Sequence, residues 1–135
     1  MKSPTNKIVL RGNDPTGYGY YGASRSNGTR KHEGTDYCAT PGENIYACIS
    51  GKVRVGVVYS NSTKMKLVEI TGADYRVKQM YVQPNVKTGD FVKEGDCIGT
   101  SQDISAYWGG NMLNHVHISV WKHGLLTDPE PIIKE

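Results

Sequence analysis

Two short histidine patterns hold the residues of this chain most suited to chemistry. His32-Glu33-Gly34-Thr35-Asp36 sets an imidazole and a carboxylate four residues apart. His115-Val116-His117 sets two imidazoles at i and i+2. On a strand, residues two apart point to the same face, roughly 7 Å from each other. One of the pair is then able to ligate a metal while the other faces the metal's open side. Two imidazole nitrogens and one carboxylate oxygen form a three-ligand set. Such a set leaves a fourth tetrahedral position for water, which marks catalytic rather than structural zinc. Each pattern alone is common, and their combination with the surrounding sequence carries the argument.

The elements that must position these residues read as β structure. Ile45 to Tyr59 reads as two short strands around Ser50-Gly51. Lys66 to Thr71 and Tyr75 to Val82 read as a hairpin closed by Gly72-Ala73-Asp74. Lys87-Thr88-Gly89-Asp90 and Lys93-Glu94-Gly95-Asp96 are turn signals flanked by apolar pieces, and Val116 to Trp121 is a final strand. The tail, with Pro129 and Pro131, is expected to be irregular. No long helical periodicity appears. The fold class expected is a mostly β, small antiparallel sheet domain with hairpins and long loops, its metal site at the groove of the sheet. Residues 12–30 are rich in Gly, with Tyr18, Tyr20 and Tyr21 among them, and read as a loop able to line a site.

Composition narrows the function classes. The 135 residues suit one domain, and the net charge of +3 lacks the basic, aromatic-interleaved runs of a nucleic-acid groove. No stretch approaches the roughly 18 apolar residues of a membrane span. Neither nucleic-acid binding nor membrane insertion is therefore expected. Met1 to Arg11 has no apolar core of signal-peptide length. The expectation is synthesis in the cytoplasm, with action in the periplasm or cell wall after delivery by another route. Three cysteines, Cys38, Cys48 and Cys97, leave at least one unpaired within the chain. They are expected as buried thiols, with a Cys38–Cys48 bridge as the alternative.

The residues from Arg30 to Tyr37 resemble the first metal motif of the lysostaphin-type zinc peptidases. The resemblance continues in order through Pro41-Gly42, Ile45-Tyr46-Ala47 and Ser50-Gly51-Lys52-Val53. It then takes in the turn pair between Val86 and Gly99, His115-Val116-His117-Ile118, and Leu126-Thr127-Asp128-Pro129. It covers residues 25–131, which implies an extension at 1–24, the peptidase domain at 25–131 and a tail at 132–135. It implies one Zn2+ per chain, held by His32, Asp36 and His117. His115 takes the catalytic position beside the metal. The implied substrate is the peptide of bacterial peptidoglycan, and delivery by a specialised system would add an immunity or delivery protein as partner.

One position departs from the pattern. Active members carry a further histidine in a Tyr-x-His motif, and the matching stretch here is Tyr81-Val82-Gln83. Gln83 occupies the catalytic position but cannot shuttle a proton near neutral pH. The leukocyte cell-derived chemotaxin branch of the family keeps the ligands, lacks that histidine and acts in signalling and binding. Tyr21-Gly22-Ala23-Ser24-Arg25-Ser26 and Asn114-His115-Val116-His117-Ile118 are similar to that branch. Two functions are thus in play: a zinc endopeptidase cutting peptide cross-links, or a catalytically impaired zinc-containing binding module of the same fold. A third, a lipoyl-type carrier with a modified lysine at Lys64-Met65-Lys66, would require that lysine at an exposed hairpin tip. Tyr21, Tyr107 and Trp108 are expected to wall the substrate groove. His123 is expected at the surface, and Glu33 is expected to point away from the metal.

Overall fold

The computed structural model describes residues 1–11, 13–14, 17–18, 24–25, 30–31, 34–105 and 113–135. The named elements among them are all strands. Four two-residue pieces come first: β1 (Asn13–Asp14), β2 (Gly17–Tyr18), β3 (Ser24–Arg25) and β4 (Arg30–Lys31). They pair as β1 with β2 and β3 with β4. Then follow β5 (Thr35–Cys38), β6 (Asn44–Tyr46), β7 (Gly51–Tyr59), β8 (Ser62–Thr71), β9 (Tyr75–Met80), β10 (Val82–Pro84), β11 (Phe91–Val92), β12 (Cys97–Ser101), β13 (His115–Lys122) and β14 (Leu125–Thr127).

The main sheet runs β11-β7-β8-β9-β13-β14, with β5 also on β13. A smaller sheet runs β10-β12-β6. Every pairing between named strands is antiparallel, as the hairpin signals predict. The period-2 alternation explains the burial. On β13 Val116, Ile118 and Val120 are fully buried, and Val77 of β9 and Val68 and Ile70 of β8 meet them in one core with Tyr37, Ile45 and Ile98. Gln79, also buried there, spends its amide on the Cys48 N–H and the Tyr46 carbonyl.

The ends of the chain join this unit. Lys2 bridges to Lys134, Ile133 is buried in the core, and Leu10 bridges to Tyr37 on the open edge of β5. The turns at Gly89 and Gly95 adopt φ of +98° and +91°, a left-handed geometry that favours glycine. In each, the aspartate that follows the glycine, Asp90 or Asp96, accepts the backbone N–H of the residue three before it, Lys87 or Lys93, at 2.9 Å.

Three expectations change. The strand expected over Tyr75 to Val82 ends at Met80, because Tyr81 takes φ +70° and sends Val82 into the smaller sheet. The tail is less irregular than its prolines suggest: Leu125–Thr127 returns along β13 through a turn at His123-Gly124. No disulfide joins the three cysteines; Cys48 is buried as expected, but Cys38 is half-buried and Cys97 is exposed, since it opens β12 beside a register shift. His123 is at the surface as expected, its ring 3.5 Å from Asp74. Lys64 and Lys66 lie within β8, past the hairpin turn between Tyr59 and Ser62, which removes the carrier reading. No helix among the described residues is long and apolar enough to cross a membrane.

Candidate metal centre

The centre forms where β5 and β13 run side by side. Their register sets His117 opposite Asp36 and His115 opposite Cys38. Directly paired residues share a face of the sheet, so Asp36, His117 and His115 all project to the face away from the core. Asp36 is 1% exposed, a carboxylate that must be compensated where it sits. Arg11 supplies that, its Nη1 lying 2.7 Å from Asp36 Oδ2; His117 Nδ1 lies 2.9 Å from Oδ1, and His115 Nε2 lies 3.4 Å from Oδ2.

The two histidines are held from behind in different ways. His117 Nε2 meets the Ser119 hydroxyl at 3.0 Å. If Nε2–H donates to that hydroxyl, Nδ1 presents a lone pair straight at the carboxylate oxygen. In that tautomer a carboxylate oxygen and an imidazole nitrogen, both donor types that zinc takes, lie side by side, so the pair fits a metal by its donor chemistry. His115 Nδ1 lies 2.7 Å from the Leu113 carbonyl, which only accepts; Nδ1 must therefore carry the hydrogen and donate it. In the neutral ring the lone pair is then on Nε2. Burial lowers the His115 pKa, against the opposing pull of Asp36 and the Leu113 hydrogen bond. Neutral pH finds the ring uncharged and able to accept a proton.

The structure brings together Asp36, His115 and His117 of the expected residues. His32, the third expected ligand, lies outside the described residues, as do Glu33, Tyr21, Tyr107 and Trp108. Among the described residues no group of three or more His, Cys, Asp or Glu side chains is arranged to hold a metal ion. Gln83 is on β10 with its side chain exposed and its backbone paired to Thr100. Tyr81, two residues before it, packs against the site. The Tyr81 ring stands edge-on to His115 at 5.5 Å, and its hydroxyl bonds that of Tyr59 at 2.9 Å.

Three further contributors escaped the sequence reading. Arg11 precedes the motifs by more than twenty residues and left no local signal. Ser119 was readable in principle, since it follows His117 by two on the same strand and so shares its face. Gly34 sits inside the first motif: a Cβ there would run into the Ile118 carbonyl oxygen and come within 2.8 Å of His117 Nε2. Only glycine lets this segment pass so close to β13. Beside the centre, a cleft of about 610 Å³ is bounded by Cys38, Thr40, Pro41, Glu43, Leu113 and Asn114, though not by the Asp36–His117 pair itself.

The model of peptidase family M23 matches residues 30–129, and the chain belongs to that family. It is 30% identical over 119 residues to Myeloid protein 1 of Gallus gallus, covering 86% of this chain and 35% of that protein. It is also 30% identical over 125 residues to lysostaphin of Staphylococcus simulans, covering 87% of this chain and 24% of that protein. The chain thus spans about a third or less of the curated relatives it matches. Among solved structures, the catalytic domain of the antimicrobial peptidase lysostaphin from Staphylococcus simulans superposes with a TM-score of 0.59 at 28% identity, covering 88% of this chain and 91% of that one. The mostly β, antiparallel fold expected from sequence is that of the family.

Proposed function

We propose that this protein is a zinc-dependent endopeptidase that hydrolyses peptide cross-links of bacterial peptidoglycan. The observation that carries the reading is the pairing of Asp36 Oδ1 with His117 Nδ1 on adjacent strands, with His115 on the same face. Asp36 and His117 would hold the metal together with His32. Zinc bound there would lower the pKa of a water and polarise a scissile carbonyl. The protein's own groups do the rest. Arg11 and Ser119 fix the ligands. His115, with its lone pair on Nε2, takes the proton released as the peptide bond is attacked and returns it to the leaving amine. Tyr81 braces the His115 ring. The natural place of action is the periplasm or cell wall, where the substrate is; a delivery or immunity protein belongs to the same proposal.

A second reading follows from Gln83 and the similarity to Myeloid protein 1: a zinc-containing binding or signalling module with impaired catalysis. Glutamine at position 83 removes a proton-transfer group, a loss of about 10²- to 10⁴-fold in acid–base catalysis. Zinc content and turnover on purified peptidoglycan separate the readings. Under the peptidase reading, His115→Ala keeps one zinc per chain and loses turnover, while His117→Ala loses both. Wild-type protein that holds zinc, is inert, and gains activity on Gln83→His would favour the binding module.

A further inference from the structure

The register of the main sheet arranges its metal-bearing face in rows. The metal row runs Gly56, Leu67, Met80, His117 and Asp36 across β7, β8, β9, β13 and β5. One step along lies the row Arg54, Glu69, Lys78 and Ser119, and the next holds Lys52, Thr71, Arg76 and Trp121. Rows are about 7 Å apart, so Trp121 stands about 13 Å from His117 along β13.

These two outer rows set four cationic side chains, Lys52, Arg54, Arg76 and Lys78, against one carboxylate, Glu69. Glu69 is shared between Arg54 at 3.0 Å and Arg76 at 2.8 Å. The Arg76 guanidinium lies over the Trp121 ring at 4.0 Å, and the Lys78 ammonium approaches the same ring at 5.5 Å. A ring flanked by two cations on its face is a built surface: stacking limits the freedom of the long side chains and leaves their charge in excess. A surface strip of one sign attracts ligands of the other.

We propose that this strip is an anionic subsite, which takes a carboxylate-bearing residue of a peptide three to four residues from the bond at the metal centre. The occupant is an acidic peptide because the spacing from His117 to Trp121 is that of an extended chain of four residues, and the strip lies on the face that carries the reacting groups. The inference rests on the peptidase reading and adds to it a substrate class.

The test is fluorescence anisotropy on the zinc-loaded protein. The probes are a labelled hexapeptide of alternating alanine and glutamate and its glutamine counterpart. The acidic peptide should bind about tenfold more tightly at low salt, and the preference should shrink at 150 mM salt as screening sets in. Lys78→Gln and Trp121→Leu should each cut the preference about fivefold. Equal affinity for the two peptides overturns the proposal, and so does an undiminished preference in both variants. Competition by inorganic polyphosphate as strong, charge for charge, as by the glutamate peptide also overturns it, since a bare anion site would then suffice. If a variant fails to fold, as a thermal melt would show, the wild-type ratio still decides. Acidic preference without cleavage of peptidoglycan sinks only the peptidase reading, and cleavage without acidic preference sinks only the subsite.

Discussion

Asp36 Oδ1 and His117 Nδ1 lie 2.9 Å apart on neighbouring antiparallel strands, 81 residues apart in sequence. Arg11 occupies the other carboxylate oxygen, Ser119 the other imidazole nitrogen, and Gly34 clears the space between the strands.

Ser119→Ala removes the group that fixes the His117 ring. Outer partners of this kind typically contribute 10- to 100-fold in metal affinity. Zinc titration against a competing chelator should show a loss in that range with the fold intact. Unchanged affinity would mean that Ser119 does not orient the ligand.

Arg11→Gln should act on the same site from the other side. The buried Asp36 loses its charged partner, so both the thermal midpoint and zinc affinity should fall. Arg11→Lys should restore part of each. A variant as stable and as zinc-avid as the parent would show the ion pair to be incidental.

Gly34→Ala forces a methyl against the backbone of Ile118 and the His117 ring. Overpacking of this kind costs about 1–3 kcal/mol. Chemical denaturation should report a loss of that order, together with weaker zinc binding. A neutral substitution would show that the β5–β13 approach is looser than described.

Glu69 supplies a pH test remote from the metal. Burial raises its pKa, but hydrogen bonds and charge from Arg54 and Arg76 outweigh this and hold it below its ordinary value of 4.5. A depressed carboxylate stabilises the fold above its unfolded pKa, and that contribution fades as pH falls through the folded value. Glu69→Gln should therefore be less stable than the parent at pH 7, with the gap closing below about pH 4. A gap independent of pH would show that the two arginines do not set the carboxyl.

Much of this arrangement was legible in the residues themselves. The i, i+2 spacing of His115 and His117 places both on one face of a strand, and Gly72-Ala73-Asp74 announces the hairpin of β8 and β9. Period-2 alternation names the core residues of β13. What was not legible depends on contacts distant in sequence. Nothing near Arg11 signals that it will be buried against Asp36, and the left-handed turn at Tyr81 arises in a residue type that seldom adopts it. The short return of Leu125–Thr127 was hidden by the prolines that follow. The edge-on contact of Tyr81 with His115 left no signal in the sequence either, since it depends on the kink at Tyr81 that sends the following strand into the other sheet.

The most direct measurement is digestion of purified peptidoglycan by the zinc-loaded protein, with new amino termini identified by mass spectrometry and His117→Ala as the control. The account predicts new termini from cross-link peptides that are absent with the variant. Intact cross-links across several wall types, with one zinc bound per chain, would contradict it.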